Sequence, residues 1–256
     1  MKNNVKISSI LLLTLASAQL SAATVTIYEN DFESGTVASD ARFSADDAGG
    51  GLRAFNNSLS TIAGGVLSNP GTETNNLGEG AVGLVIGSTL TTENLITISF
   101  DYTVGAGSEL FFHAQALTVN GTPAANEQLA NTASLSGNIQ NIAEAEYADF
   151  NILTGDDVAA NSANSAQTFA GGTSGTFTGT FDLSSYTFSA DEEGFAGTAL
   201  APADIDLFLF AFAQNVTDTT DAGFTVDNFS VTAVPEPSSL LMSCFGLLGL
   251  CLYRKR

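Results

Sequence analysis

Apolar and polar residues alternate in short runs between residues 24 and 234, and this alternation constrains the fold more than any other feature. In residues 95–104, for example, Ile96, Ile98 and Phe100 lie on one face of an extended strand, and threonine, serine and aspartate lie on the other. No segment before the C-terminal tail has a sustained helical periodicity. The segment is therefore predicted to consist of β-strands.

Further runs have the composition of strands and are separated by turn residues; they lie at 24–29, 81–87, 109–118, 175–184, 205–214 and 223–234. The run at 205–214 is apolar at odd and even positions alike, so we expect it in the middle of a sheet that is covered on both faces. Many short strands joined by polar loops favour an all-β fold, an antiparallel β-sandwich that is jelly-roll-like.

The N-terminal segment has the features of a secretory signal peptide. A basic start is followed by an apolar run at 10–18, which is too short to span a bilayer. Small residues precede a predicted signal peptidase site between Ala23 and Thr24, so residues 1–23 form the predicted signal peptide. A cut after Ala18 is the alternative.

The C-terminal segment has three parts, a Pro-Glu-Pro triplet, an apolar stretch at 238–253 and a basic end. The prolines end the preceding strand and hold Glu236 in extended, accessible backbone. The stretch has 16 residues. As a helix it is about 24 Å long, and snorkelling of the basic end brings it to the ~30 Å hydrocarbon core. A transmembrane helix is therefore predicted, with the basic residues on the cytoplasmic side, namely Arg254, Lys255 and Arg256.

The order of these three parts resembles the PEP-CTERM sorting domain, which exosortases process. The resemblance covers residues 234–256 and implies a processing site at Pro235, Glu236 and Pro237. It also implies that the domain at 24–233 is exported, anchored in the inner membrane by the helix, and then delivered to the cell surface or extracellular space. The partners it implies are exosortase, signal peptidase, the inner membrane and, in bacteria that make it, exopolysaccharide.

The charge of the exported domain excludes nucleic acid as a partner. Its only basic residues are Arg42 and Arg53, whereas 26 of the 27 acidic residues lie in it, which gives a formal charge of −24. Binding of a polyanion requires clustered lysine and arginine. The acidic excess is expected to keep a surface protein soluble. The alternative is a specific role for these carboxylates in binding cations. Both cysteines, Cys244 and Cys251, lie in the tail, so the domain has no disulfide or thiolate metal site.

The two ends of the domain carry motifs that point to a shared structural feature. In the last predicted strand the apolar parity changes at Asp227 and Asn228, which predicts a β-bulge there. Residues 29–33 and 226–231 resemble the terminal strands of carbohydrate-binding-module-like jelly rolls. In those modules the terminal strands lie close together and often hold a structural calcium ion.

This resemblance implies a tentative calcium site made of Asp31, Glu33 and Asp227. Calcium takes six to eight hard oxygen ligands, and carboxylates from both chain ends would supply several of them. No other cofactor is expected. The alternative is that Asp227 caps a bulge or turn through its own backbone.

Catalytic motifs are missing from the sequence. His113 is the one histidine, and it is accompanied by no nucleophile elbow, zincin spacing or Walker loop. Adjacent carboxylates occur at 46–47, 156–157 and 192–193, but neighbours on a strand point to opposite faces and cannot converge on one bond. We therefore expect a non-catalytic surface or matrix protein, either adhesive or exopolysaccharide-associated. The alternatives are a weak carbohydrate-binding module, which the lack of tryptophan disfavours, and a hydrolase.

Overall fold

The computed structural model describes residues 24–38, 49–55, 59–71, 81–91, 93–119, 147–153, 167–187, 199, 201–216 and 223–234. The strands of these residues are β1 (Val25–Asn30), β2 (Arg53–Phe55), β3 (Thr61–Ala63), β4 (Val66–Asn69), β5 (Ala81–Gly87), β6 (Leu95–Val104), β7 (Ser108–Val119), β8 (Tyr147–Asn151), β9 (Gln167–Phe169), β10 (Ser174–Asp182), β11 (Leu207–Val216) and β12 (Phe224–Val234). Short 3-10 helices lie at Leu183–Ser185 and Pro202–Asp204.

These strands form two antiparallel sheets. Sheet A has the order β10-β6-β12-β4-β3, and β1 also pairs with β12. Sheet B has the order β2-β5-β11-β7-β8, and β9 also pairs with β7. The predicted all-β class with antiparallel sheets is confirmed, and the arrangement is that of a β-sandwich. The finer assignment to a jelly roll stays a prediction.

Phenylalanine rings from both sheets fill the space between them. The rings of Phe100 in sheet A and Phe112 in sheet B have centroids 4.8 Å apart, and Phe210 and Phe229 are 5.2 Å apart. All four side chains have no measurable exposure. Burial of a side chain of this size stabilises the fold by about 1.5–3 kcal/mol. This aromatic packing provides the core of a sandwich whose described residues include no cysteine.

The long strands coincide with the predicted runs because their periodicity is clear. Strand β5 has the predicted bounds 81–87, and β6 covers the predicted 95–104. Strand β11 lies in the middle of sheet B with residues 207–214 all buried, as its apolar pattern predicted. Strands β2, β3, β4, β8 and β9 were not predicted, since three to five residues are too few to establish a period.

Several predicted segments lie outside the described residues. These are the signal peptide at 1–23, the tail at 235–256, and the carboxylate pairs at 46–47, 156–157 and 192–193. Within the described part of the chain, no helix has the length and apolar character needed to cross a membrane.

Candidate functional site at the terminal strands

The first and last strands are neighbours in sheet A, as predicted. Strand β1 runs antiparallel to the second half of β12, from Val25 opposite Ala233 to Asn30 opposite Phe229. Strand β4 pairs with the first half of β12, and its Leu67 lies opposite Val226. Strand β6 pairs with the opposite edge of β12, so β4 and β1 lie one after the other along the same edge of β12. The two chain ends are therefore joined in the middle of the sheet.

The predicted β-bulge lies at the point where β12 passes from β4 to β1. Its register with β6 shifts between Asp227 and Ser230, and Asn228 has a φ of 50°. Asparagine tolerates this left-handed conformation better than most residues. The extra residue lets both Val226 and Phe229 point into the core, where each is fully buried. The prediction of a bulge at residues 227 and 228 is confirmed.

The bulge holds together two aspartates that lie directly opposite each other, Asp101 on β6 and Asp227 on β12. The Asn228 side-chain amide donates to Asp101 Oδ2 at 2.9 Å, and the Thr176 hydroxyl donates to Asp101 Oδ1 at 2.5 Å. The Asn228 N–H donates to Asp227 Oδ1 at 2.7 Å. The hydrogen bonds from Thr176 and then Asn228 lower the pKa of Asp101. These donors offset the repulsion expected between like charges on adjacent strands.

The chain leaves β1 through a tight turn that inserts Phe32 into the core. The Phe32 N–H donates to Asn30 Oδ1 at 2.8 Å, and the Glu33 N–H donates to Asp31 Oδ1 at 3.2 Å. Phe32 itself has a φ of 52° and is fully buried. The Tyr28 hydroxyl, whose pKa is raised by burial, donates to the Gly50 carbonyl at 3.1 Å. The turn therefore leaves the Asp31 carboxylate near the bulge residues Asn228 and Phe229.

An open cavity of about 510 Å³ lies between this turn and the bulge. Its walls come from both terminal strands and consist of Glu29, Asn30, Asp31, Asn228, Phe229 and Ser230. Glu29, Asp31 and Asn228 are exposed, so the cavity offers carboxylate, amide and hydroxyl groups to solvent. These groups suit hydrogen bonding to a hydroxylated ligand.

The described residues do not bring the three predicted calcium ligands together in one metal-binding group. Asp31 and Asp227 each accept a nearby backbone N–H, and Glu33 lies against Gly65, where an added Cβ would come within 3.0 Å of its Oε1. Within the described residues, no group of three or more His, Cys, Asp or Glu side chains could hold a metal ion. The described side chains thus do not form a ready calcium site, and calcium binding stays a prediction. A melting curve that EGTA leaves unchanged would contradict it.

His113 lies on the face of β7 that points away from the core, opposite Ala211 of β11. It is 1% exposed, and among the residues that the structure describes neither ring nitrogen has a hydrogen-bond partner. Burial lowers the pKa of its imidazole to about 4. The structure therefore places this histidine on the outward face of sheet B, away from the cavity at the terminal strands.

The tyrosines whose side chains the structure describes provide no flat exposed surface. Tyr102 packs on Phe169 with ring centroids 4.3 Å apart, and the Tyr186 hydroxyl donates to the Ile152 carbonyl at 2.8 Å. Tyr28, Tyr102 and Tyr186 are all half-buried. Stacking of sugar rings relies on exposed aromatic faces, so these residues do not supply a stacking platform.

The chain has structural likeness to several solved proteins. The tandem CBM22 domains of Paenibacillus barcinonensis Xyn10C are 14% identical, with 82% of this chain and 50% of that chain covered and a TM-score of 0.40. A xylan-binding module, CBM15, is 11% identical, with 84% and 99% covered and a TM-score of 0.36. The family 11 module of Clostridium thermocellum is 12% identical, with 86% and 91% covered and a TM-score of 0.31. The chain thus spans half the length of the tandem structure.

A comparison with curated proteins finds no match. A family model of the PEP-CTERM protein-sorting motif matches residues 233–256, a range that begins with the last two residues of β12. The predicted resemblance of the tail is confirmed over these residues. The chain therefore carries a PEP-CTERM protein-sorting motif at its C-terminal end, and this motif implies an exported surface protein that an exosortase sorts.

Proposed function

We propose that this chain is a non-catalytic cell-surface or extracellular-matrix protein, whose β-sandwich is presented outside the cell after exosortase-type sorting. The match of residues 233–256 to the sorting motif is the observation that carries the proposal. Glu236, between Pro235 and Pro237, is the proposed processing position. Signal peptidase acts between Ala23 and Thr24 in this proposal, and the helix at 238–253 anchors the precursor in the inner membrane.

The position of the chain ends in the sandwich supports this order of events. Val25 lies opposite Ala233, and Val234 lies opposite Leu95. Both ends of the domain therefore leave sheet A at the same end of its strands. A domain tethered first by its leader and then by its tail can fold with the same end toward the membrane in both states. The cavity at residues 29–31 lies about 17 Å further along the strands, at about 3.3 Å per residue. The cavity therefore stays accessible, because it lies away from the end of the domain that is attached to the membrane.

The proposed non-catalytic role rests on the groups near the cavity and on His113. The residues that line the cavity include no histidine or cysteine, and His113 is buried away from them on sheet B. The alternative of a weak carbohydrate-binding module would use the cavity or a sheet face without tyrosine stacking. A glycan array separates the two, because the first role predicts no hit and the second predicts binding that Asp31→Ala or Asn228→Ala weakens.

Cell fractionation tests the proposal directly. Cells that produce the intact chain are compared with cells that produce a chain lacking residues 235–237, and mass spectrometry determines both ends of each protein. We expect the intact chain at the surface, with a new start at Thr24 and a new end near Pro235–Pro237, and the deleted form held in the membrane fraction. Finding the complete chain in the cytosol with both ends uncut would refute the proposal.

A further inference from the structure

Strand β10 forms the edge of sheet A and differs from the other edges of the described sheets. It pairs with β6 over nine residues without a register shift, and the described residues include no strand on its other side. The remaining edge strands of the described sheets are shorter: β2, β3 and β9 have three residues each, β8 has five, and β1 has six with a register shift between Thr26 and Tyr28. Proteins normally protect long edges with lysine, proline or a bulge. Strand β10, with the sequence SGTFTGTFD, has none of these.

Two backbone hydrogen bonds at the ends of β10 show which of its residues bond to β6. The Val104 N–H donates to the Thr173 carbonyl at 2.8 Å, and the Leu183 N–H donates to the Asn94 carbonyl at 2.8 Å. Hydrogen-bonded positions alternate along an antiparallel ladder, so the odd residues between 173 and 183 bond to β6. The even residues therefore direct their N–H and C=O groups to the free edge, and these are Ser174, Thr176, Thr178, Thr180 and Asp182.

We propose that β10 is a self-association edge, at which a second copy of this chain adds its own β10 in antiparallel orientation about a two-fold axis at Thr178. The five outward-facing residues then exchange about nine hydrogen bonds with the second copy, since the Asp182 carbonyl already accepts the Ser185 hydroxyl of its own chain. Each copy has one such edge among its described strands, so the pairing closes as a dimer and does not extend as a fibre.

The side chains of β10 are complementary to themselves in this register. Phe177 lies opposite Gly179 of the second copy, and Phe181 lies opposite Gly175 of the second copy, so each ring faces a residue without a side chain. Within the single chain Tyr102 already covers Gly175, and Phe177 and Phe181 already cover Gly179, so this register is favoured because no side chain stands directly opposite either ring. A register displaced by two residues would instead set Phe177 against another phenylalanine. Both rings are only half-buried in the single chain and would lose exposed surface in the dimer.

The polar face and the charges are compatible with the same register. Thr178 lies opposite Thr178 and Thr176 opposite Thr180, and cross-strand threonine pairs are favourable. Asp182 is the one charged residue of β10, and it lies opposite the Ser174 hydroxyl of the second copy. Two strongly acidic domains repel each other elsewhere, so a nearly uncharged strand is the part of the surface at which their contact costs least.

A proline substitution tests the proposal on the full-length chain in detergent. Thr178→Pro removes an N–H that faces the free edge and leaves the β6 ladder intact, as edge strands tolerate. We expect the unmodified chain to be a dimer by multi-angle light scattering, and Thr178→Pro to weaken dimerisation by about tenfold or more. The hydrophobic tail is the same in both proteins, so its own association does not produce the difference. A monomeric unmodified chain, or a proline variant that dimerises equally well, would overturn the proposal.

Cysteine cross-linking gives a second test that does not depend on the proline variant folding. In a chain with Cys244→Ser and Cys251→Ser, Thr178→Cys places two thiols on the two-fold axis, at a Cα separation of about 5.5 Å that a disulfide accepts. We expect cells that produce this variant to contain a covalent dimer, and dithiothreitol should convert that dimer to monomer. Thr97→Cys, on the same sheet face but on the inner strand β6, is the matched control and should not cross-link. Equal cross-linking of the two variants, or of Thr178→Cys with a different protein, would contradict the proposal.

Discussion

The two sheets share one core but differ in their outward faces. On sheet A the outward residues of β6 and β10 are mainly hydroxylated, and they bond to one another, as in the 3.0 Å contact of Thr97 Oγ1 with Thr180 Oγ1. On sheet B the outward residues Val85, Leu209 and Leu117 have no measurable exposure, and His113 is 1% exposed. Sheet A thus presents a polar face to solvent, whereas the central strands β5, β11 and β7 of sheet B are buried on both faces over most of their length.

This difference shows how one chain divides its apolar residues between two kinds of strand. A strand buried on both faces is favoured to be apolar at both parities, as in residues 207–212 of β11, since a buried polar group without a partner costs free energy. A strand buried on one face keeps alternation, as in β6. The exposed chemistry of the sandwich therefore lies on sheet A and at its bulge. Four substitutions test this comparison.

The largest effect is expected from Leu209→Ala on the outward face of sheet B. Leu209 is fully buried, so its truncation should lower the free energy of unfolding by about 2–5 kcal/mol. The matched control is Thr97→Ala on the outward face of sheet A, which should change it by about 0.5 kcal/mol or less. Urea unfolding measures both. Similar small losses for the two variants would mean that the outward face of sheet B is accessible to water.

His113→Leu tests the burial of sheet B through pH. The pKa of His113 falls from 6.5 to about 4 on folding, so between these values the unfolded chain takes up a proton that the folded chain does not. This histidine should therefore cost stability as the pH falls from 6.5 to 4, by about 3 kcal/mol at the end of that range. The leucine variant should lack this loss and be at least as stable at pH 7. A difference between the two proteins that is constant with pH would rule out a buried neutral imidazole.

Asn228→Ala tests the bulge on sheet A. The change removes the hydrogen bond to Asp101 and places alanine at a φ of 50°, so we expect a loss of about 2 kcal/mol. Asn228→Gly removes the same bond but accepts the backbone conformation, and it should cost about half as much. Equal losses in thermal unfolding for the two variants would show that backbone conformation contributes nothing there.

Thr180→Ala is expected to have the smallest effect. It removes an exposed hydroxyl that bonds to Thr97, and such contacts on a solvated face contribute about 0.5 kcal/mol. Thr180→Ser keeps the hydroxyl and is the control. A loss as large as that of Leu209→Ala in the same urea series would erase the distinction between the two outward faces.

The features that were predictable from the sequence are those in which one segment carries the whole signal. The bounds of β5 and the central position of β11 follow from composition along a single run. The bulge at Asp227 and Asn228 follows from a change of parity in one strand. The sorting motif at 233–256 follows from the order of three contiguous parts.

The candidate site was predicted only in part because its contacts join distant segments. The sequence indicated that the terminal strands meet, but it did not indicate that β4 and β1 share an edge of β12. The bond from Asn228 to Asp101 spans 127 residues, and no local pattern identifies β6 as the neighbour of β12. Asp31 and Glu33 are two residues apart, yet the turn at Phe32 directs Glu33 to Gly65 and leaves Asp31 at the cavity.

By itself, the amino-acid order of this protein determined which segments become strands, which of their faces are apolar, and that a sorting signal follows the last strand. These properties arise from side-chain periodicity and from contiguous motifs, which are local. The tertiary structure decided which strands are neighbours, which strand forms a long free edge, and how completely His113 is buried. Those properties depend on how the sheets order their strands and cover each other, and many strand orders are compatible with the same local pattern.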